Sequence, residues 1–464
     1  MVFSSLLFLC IFLPTVLLFY NLSKNLTYRN IVLVISSLFF YAWGEPVWVL
    51  MLLFSAMLDY TCGRVIDKFR GKWQAKAALL SSLIINLGIL FVFKYSGFIV
   101  GNINAIFGIN IPFSGFNLPL GISFYTFQTI SYTIDVYRGD TNVQKSPLKY
   151  LTYLSMFPQL VAGPIVRYAD IDKQINNRTV TAKDFEYGIY RFAQGMFKKV
   201  LLANSAGAVA TAMLDGNLAD ASVLGAWLGI IMYTFQIYFD FSGYSDMAIG
   251  MGRFFGFKFL ENFNYPYIST SVTEFWRRWH MSLSSFFRDY VYIPLGGNRR
   301  LQIRNIMVVW MLTGFWHGAS WNFIFWGLYY GILLIIEKKL FGGKLLRLPK
   351  PLGFVYSSII IVFGWTLFYF TDMNRIGLFL NAAFGGTGVW YDLNSLTTLL
   401  SNVFLLVLLA ISSTPYPKNL YVRLTDKYPW VGAVCSPLLV VAVLVTAFAV
   451  LVGSTYNPFL YFRF

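Results

Sequence analysis

Long stretches of this chain contain no Asp, Glu, Lys or Arg, and this feature limits the possible folds more than any other. The longest of them are residues 95–134, 306–336 and 431–462. A helix needs about 20 mostly apolar residues to cross the hydrocarbon core of a bilayer. Only 12% of the 464 residues are charged, compared with roughly 25% in ordinary soluble domains. The chain is therefore predicted to be an all-α polytopic integral membrane protein, which excludes a soluble enzyme, a disordered linker protein and a disulfide scaffold.

The positive charges lie in short segments between the apolar stretches, chiefly residues 61–76, 253–304 and 338–350. Cytoplasmic loops of membrane proteins are enriched in Lys and Arg, so we place these segments in the cytoplasm. The uncharged segment 97–117 is predicted to lie at the outer face. The net charge of +16 is thus interpreted as a sign of topology and not of nucleic-acid binding. Counting roughly 20 residues for each pass, we predict about eleven transmembrane helices plus re-entrant and interfacial helices.

Two of the apolar stretches are not expected to be single straight spans. Residues 150–166 contain two prolines and a glycine between positions 158 and 164, which predicts a broken or re-entrant helix. Residues 306–336 lie between two basic segments. For both segments to be cytoplasmic, the chain must enter the membrane and return, with a turn near residues 314–320. That turn contains His317.

The cysteines give no indication of a metal site. Cys10, Cys62 and Cys435 are the only cysteines, and they are far apart in the sequence. Their spacing matches no zinc-binding pattern, and three thiols cannot pair completely. We therefore predict no bound metal.

Histidine is scarce, and each of the two histidines is a candidate for acid–base chemistry. His317 lies in a stretch that has no Asp, Glu, Lys or Arg from Ile306 to Ile336. Ionisable residues inside a membrane are costly and often functional. Desolvation favours the neutral imidazole, which is the form that a general base requires. The alternative is a structural histidine bonded to a carbonyl in a Trp-rich core.

His280 follows a run of arginines and tryptophans, which is typical of an interfacial helix. Spacing alone agrees at least as well with an amphipathic surface helix as with a binding site. The functional interpretation is that Arg277, Arg278 and Arg288 bind the phosphates of a cytosolic donor.

Two further clusters of polar residues have structural interpretations. Asp240 and Asp246 lie at the end of the uncharged run 221–239, and we expect them to form ion pairs with arginines of residues 253–304. The hydroxyl-bearing segment 121–135 is predicted to be a helix whose polar groups bond neighbouring helices.

Six long motifs follow one another in a fixed order along the chain. They are residues 118–128 (LPLGISFYTFQ), 157–165 (FPQLVAGPI), 239–246 (FDFSGYSD), 275–280 (FWRRWH), 292–297 (YIPLGG) and 314–322 (GFWHGASWN). Together they resemble the membrane-bound O-acyltransferase family, in particular its alginate O-acetyltransferase-like branch, and the resemblance covers nearly the whole chain.

The resemblance implies one catalytic membrane domain over residues 1–464, with opposed funnels that meet in a centre within residues 239–336. It implies transfer of an acetyl group from a cytosolic thioester, most simply acetyl-CoA, without a permanently bound cofactor. The signature histidine of the family maps onto His317 as general base. His280 would orient the donor or stabilise charge. Trp316 and Asn322, within the last motif, are expected to contribute to substrate binding.

The C-terminal tail, residues 454–464, is predicted to be extracytoplasmic. Its ending, Phe459-Leu-Tyr-Phe-Arg-Phe464, resembles an acyl-relay motif of bacterial envelope acylation systems. This implies that Tyr461 receives the acyl group before an extracytoplasmic SGNH-hydrolase-like transferase moves it to a polysaccharide. The alternative is an aromatic anchor at the membrane surface among the lipids. A bacterial cytoplasmic membrane is the expected location.

Two other functions remain open at this point. Within the same family, the chain could transfer D-alanine to teichoic acid. From a different class, it could be a transporter or flippase for a lipid-linked sugar. Transporters usually carry ionisable residues along a midplane path and often show repeats, and this sequence offers little of either.

Overall fold

The computed structural model describes residues 1–339, 349–453 and 459–460, and every regular element among them is helical. The chain folds into two compact units. The first unit is Met1–Phe192 with Tyr244–Glu261, and the second is Ala193–Gly243 with Asn262–Phe464. The single catalytic domain inferred from the sequence stays a prediction.

The first unit contains the N-terminal helices. They are α1 (Leu13–Asn21), α2 (Leu26–Gly44), α3 (Val49–Lys68), α4 (Trp73–Phe107), α5 (Ile122–Arg138), α6 (Pro147–Ser155), α7 (Phe157–Leu160), α8 (Tyr168–Asn176) and most of α9 (Ala182–Met196), after a π-helical stretch at Phe8–Phe12.

The second unit contains most of the remaining elements, and α11 continues from it into the first. Its helices are α10 (Asn204–Leu214), α11 (Val223–Phe254), α12 (Val272–Arg278), α13 (Met281–Phe287), α14 (Gln302–His317), α15 (Trp321–Lys339), α16 (Lys350–Tyr369), α17 (Met373–Ala383), α18 (Leu393–Ser401), α19 (Val403–Ser412), α20 (Tyr416–Lys427) and α21 (Pro429–Gly453). Short 3-10 helices lie at Leu218–Asp220 and Pro266–Ile268, and π-helices at Phe197–Ala203 and Arg288–Tyr292.

Six of the described helices are long and apolar enough to cross a membrane: α2, α3, α4, α11, α16 and α21. The pair α18 and α19, which is bent by 55°, would make a seventh span. The predicted count of about eleven is therefore not confirmed. Many apolar stretches form shorter helices: α14, with 16 residues, extends about 24 Å, less than the hydrocarbon core of a bilayer.

Helix boundaries near the N-terminus differ from the apolar stretches because helices extend through charged residues. Helix α3 continues through Asp59 to Lys68, well beyond the uncharged stretch in which it begins. Helix α4 runs to Phe107, so it includes the first part of the segment predicted to lie at the outer face. The predicted break in residues 150–166 is confirmed, since α6 ends at Ser155 and α7 begins at Phe157.

Polar side chains join α3, α4 and α5 within the first unit. The Asn86 amide donates to both oxygens of the buried Asp59 carboxylate, at 3.1 and 2.9 Å. The hydroxyls of Ser82 and Thr133 lie 3.1 Å apart. These contacts agree with the interpretation of the α5 hydroxyls as groups that bond neighbouring helices.

Both carboxylates expected to form ion pairs do so, but their predicted partners were wrong. In the second unit, Asp240 pairs with Lys199. In the first unit, Asp246 pairs with Arg191 at 2.8 Å. Neither partner lies in residues 253–304. Both come from the segment before α10, because that segment lies against α11, which carries the two aspartates.

Helices α14 and α15 form a hairpin in direct backbone contact. A Cβ atom on Gly314 would lie 2.4 Å from the carbonyl oxygen of Phe323, and one on Gly327 would lie 2.5 Å from that of Trp310. No larger side chain fits at either position. The predicted turn is confirmed, since α14 ends at His317 and α15 begins at Trp321.

Candidate active site

His317 is the last residue of α14, and aromatic rings enclose its imidazole. Its side chain is buried, with 5% of the residue exposed. The ring lies 4.9 Å from that of Trp326 and 5.1 Å from that of Phe368, nearly perpendicular to both. The turn that follows is tight because a Cβ on Gly318 would lie 2.3 Å from the Phe323 ring. The glycines beside His317 thus serve close packing of the chain against itself.

His280 connects α12 to α13 in a strained conformation. Its φ of 43° lies in the left-handed region, which is uncommon for residues other than glycine. Its Nδ1 lies 3.0 Å from Oδ1 of Asn262. That oxygen also accepts the Ser282 backbone N–H, at 3.3 Å. Since Oδ1 can only accept, we assign the proton of the neutral ring to Nδ1.

This tautomer leaves the lone pair of His280 on Nε2. The Nε2 atom is buried and has no hydrogen-bond partner within the described ranges. Burial lowers the pKa of the imidazole from 6.5 to about 3. His280 is therefore a neutral acceptor at physiological pH, positioned by Asn262.

The burial of His280 has a measurable consequence for stability. In the unfolded chain the imidazole titrates near its ordinary pKa of 6.5, whereas in the folded protein its pKa is about 3. Between these two pH values only the unfolded state binds the proton. The stability of the fold therefore decreases as the pH falls through this range. We expect His280→Gln to lose less stability than the natural protein on acidification. The free energy of unfolding of the variant should change with pH by up to about 1.4 kcal/mol less per pH unit. Thermal unfolding in detergent at several pH values measures this, and equal slopes for the two proteins would contradict it.

One cavity of about 320 Å³ brings the two histidines together. Its size falls within the range of small-molecule sites. The lining side chains are largely aromatic or apolar, with His280 and His317 on the wall and two arginines, Arg277 and Arg288, among them. His317 also borders a smaller, mostly aromatic space with Phe241, Trp326 and Phe368. His317 is thus a residue that the two spaces share.

The three predicted phosphate-binding arginines have different environments. Arg277 and Arg288 are exposed and line the cavity. Arg288 also contacts the neighbouring Asp289, at 2.6 Å. Arg278 donates to Glu274 at 2.8 Å and to the carbonyl of Asn264 at 3.1 Å, and it is not among the side chains that line the cavity. The geometry therefore favours Arg277 and Arg288 as the cations that a ligand would meet.

Two other candidate residues, Trp316 and Asn322, are not among the side chains that line the cavity. Trp316 is buried with its ring 5.9 Å from that of His280. Asn322 is buried and donates to the carbonyl of Leu367 at 3.1 Å, so it links α15 to α16. Tyr461 lies outside the described residues, and its role stays a prediction.

Two important residues of this region were missed in the sequence. Asn262, which sets the tautomer of His280, is 18 positions upstream and belongs to no charged or histidine-containing motif. Glu337 is buried at the end of α15 and accepts the backbone N–H groups of Val272 and Thr273, at 2.7 and 2.8 Å. A carboxylate at a helix N-terminus is stabilising, so Glu337 fixes α12 and hence Arg277. The only signal was an acidic residue beside two lysines.

Comparison with known proteins identifies relatives of this arrangement. Residues 141–380, which include both histidines, match the family model of the membrane-bound O-acyltransferases. The chain is 42% identical to the probable alginate O-acetylase AlgI of Azotobacter vinelandii, over 89% of this chain and 84% of that protein. It is 34% identical to the peptidoglycan O-acetyltransferase of Helicobacter pylori, over 84% and 81%. It is 30% identical to the teichoic acid D-alanyltransferase of Bacillus subtilis, over 54% and 67%.

Proposed function

Because this chain belongs to the membrane-bound O-acyltransferase family, we propose that it moves an acetyl group from a cytosolic thioester, most simply acetyl-CoA, for O-acetylation of a cell-surface or exported polysaccharide. It is a multi-pass membrane enzyme that transfers an acyl group to a hydroxyl. The acetyl group is favoured over D-alanine because the relatives named as acetylating enzymes match at 42% and 34% identity, and the D-alanyltransferase at 30%.

The observation that carries this proposal is the cavity that both histidines share with Arg277 and Arg288. Acyl transfer to a hydroxyl needs a base near the acceptor and a site for the donor. A guanidinium is well suited to bind phosphate because it offers several donors in a plane. The exposed arginines suit the phosphates of a CoA thioester, and the buried His317 suits the thioester group, at which the acyl transfer takes place.

In the proposed reaction, His317 removes the proton of the acceptor hydroxyl, and the hydroxyl oxygen attacks the carbonyl carbon of the thioester. A C–O bond forms and the C–S bond breaks. The thiolate of CoA then leaves and takes up the proton from the His317 imidazolium. A positioned base of this kind contributes typically about 10²- to 10⁴-fold to a rate.

For His280, the geometry supports orientation of the donor over stabilisation of a developing oxyanion. An oxyanion requires a hydrogen-bond donor, whereas Nε2 of His280 carries a lone pair in the assigned tautomer. An amide N–H or a hydroxyl of the donor could bond to this atom. Trp316, beside His280, and Asn322, which links two helices, are proposed to support the site from behind.

The relay through Tyr461 is part of the same proposal. Phe459 and Leu460 immediately precede this tyrosine, and both contact α11 within the second unit. Leu460 N–H donates to Asp240 at 2.8 Å, and the Phe459 ring lies 5.6 Å from that of Phe241. Tyr461 follows by one peptide unit, so its phenol is a reasonable first acceptor. A phenol with an ordinary pKa of about 10 needs a base, which His317 would supply.

We further propose funnels from the two membrane faces that meet at His317, with the arginine-lined side facing the cytosol. An extracytoplasmic SGNH-hydrolase-like transferase would then move the acetyl group from Tyr461 to the polysaccharide.

The relatives named above come from bacteria, which supports a bacterial cytoplasmic membrane as the location.

Mass spectrometry of the C-terminal peptide tests the proposed function. After incubation of the purified protein with acetyl-CoA, we expect an acetyl group on Tyr461, and none in Tyr461→Phe. Tyr456→Phe, a change five positions earlier in the same tail, is the matched control and should still be labelled at Tyr461. An alanyl group on protein isolated from cells would instead favour the teichoic acid branch. Polymer acetylation that persists in Tyr461→Phe would overturn the relay.

A further inference from the structure

The carboxylate of Asp240 has two partners, one on each oxygen. Its Oδ1 accepts from the ammonium group of Lys199, and its Oδ2 accepts the backbone N–H of Leu460 at 2.8 Å. Asp240 is only 2% exposed and Lys199 only 3%. The pair with Lys199 occupies only Oδ1. The second oxygen is used to hold a residue that lies 220 positions away in the sequence.

The fold brings Lys199 to Asp240 through an unusually close helix contact. Lys199 lies in the π-helix Phe197–Ala203, and π-helical turns are rare and frequently found at functional sites. A Cβ atom on Gly243, in α11, would lie 3.0 Å from the Lys199 backbone nitrogen. Helix α21, after which the tail begins, packs against the same π-helix. The helix before the tail and the described tail residues are thus held by one local structure.

The same stretch of α11 connects the tail to the cavity. Phe241, the residue after Asp240, lies between Phe459 and His280, with ring distances of 5.6 Å and 4.7 Å. Phe459 is buried, with 1% exposed. A tail that only anchors the chain in the lipid would be expected to direct its aromatic side chains outward. Here the described tail residues pack toward the wall that carries His280.

We infer that Asp240, paired with Lys199, is a positioning residue that binds the backbone of Leu460 and so holds the described tail residues, Phe459 and Leu460, against α11 beside the wall that carries His280. This inference rests on the proposed relay through Tyr461. Lys199 holds the Asp240 carboxylate in place, and the carboxylate binds the backbone N–H of Leu460. Because the contact is made to a backbone N–H, it does not depend on the side chain at position 460.

The backbone contact allows a sharp test in the full-length protein. Leu460→Pro removes the N–H donor and leaves the pair of Asp240 and Lys199 intact, whereas Leu460→Ala shortens the side chain and keeps the donor. We expect Leu460→Pro to slow acetylation of Tyr461 by about tenfold or more, the effect of losing one hydrogen bond to a charged group. Leu460→Ala should be labelled nearly as fast as the natural protein.

Two further measurements separate positioning from general damage. The affinity for a non-hydrolysable acetyl-CoA thioether analogue, measured by calorimetry, should be the same in all three proteins. Release of the terminal Phe464 by carboxypeptidase A, which cleaves well clear of position 460, should be faster in Leu460→Pro than in Leu460→Ala. A merely structural role would weaken analogue binding together with labelling.

The outcomes distinguish this inference from the proposed function. Equal labelling rates in Leu460→Pro and Leu460→Ala, with equal digestion of the two tails, would overturn the role of Asp240 and leave the relay standing. If the natural protein itself carries no acetyl group on Tyr461, the relay fails. The digestion experiment then decides alone whether Asp240 holds the tail.

Discussion

Replacement of His317 by alanine is expected to abolish acetyl transfer to Tyr461 and to the polysaccharide while the protein still folds and inserts into the membrane. The imidazole is the only ionisable side chain bordering both the main cavity and the small aromatic space beyond it, among the residues that the structure describes. Loss of a positioned general base reduces a rate by about 10²- to 10⁴-fold. The measurements are the rate of Tyr461 labelling in detergent and the acetyl content of the polymer in cells.

A second variant separates the loss of the base from the loss of packing. His317 lies against the rings of Trp326 and Phe368, so alanine also leaves a gap. His317→Gln fills more of this space and retains hydrogen bonding, but an amide is not a base. We expect both variants to be equally inactive and to keep the elution profile of a folded protein, and only His317→Gln to keep the thermal midpoint as well, because the gap left by alanine lowers stability. Normal acetylation by purified His317→Ala would show that the base is another residue.

The second large effect concerns stability, and it follows from the buried pair of Lys199 and Asp240. Both side chains are less than 5% exposed. Removal of one partner leaves a buried charge uncompensated, which costs about 3–5 kcal/mol. We therefore expect Lys199→Met to lower the free energy of unfolding by about that amount. Thermal or denaturant unfolding in detergent measures the change.

The double variant Lys199→Met with Asp240→Asn is expected to recover most of that loss, since neither charge is then buried alone. The amide introduced at position 240 would still offer a carbonyl oxygen to the Leu460 N–H. Lys183→Met, at an exposed position of α9, is the control for removal of a positive charge and should melt like the natural protein. If the single and double variants are equally unstable, the energetic coupling between Lys199 and Asp240 is absent.

The class of the protein could be predicted from the sequence, whereas the predicted number of about eleven spans is not confirmed. Long uncharged stretches require burial in lipid or protein wherever they lie in the fold. Helix ends do not follow charge, however. Helix α3 includes Asp59 because Asn86 of α4 bonds its carboxylate, and that contact is invisible in the sequence. Among the described residues, six helices, or seven with the bent pair, are long and apolar enough to span, and the fold decides the length of each.

The candidate site, too, was predicted only in part from the sequence. The turn after His317 was predicted from the loop charges, and the scarcity of histidine directed attention to His280. The meeting of two residues 37 positions apart in one cavity was only implied by family resemblance. The sequence predicted ion pairs for Asp240 and Asp246, but the partners, Lys199 and Arg191, were not those expected.

By itself, the sequence determined that this chain is a helical membrane protein and which few residues can carry proton chemistry. These conclusions depend on composition and on short motifs, which are properties of neighbouring residues. The tertiary structure decided the tautomer of His280, the partner of Asp240 and the attachment of Leu460. Each of these depends on which helix faces meet, and that is set by close contacts such as those at Gly243, Gly314 and Gly327, between residues far apart in the chain.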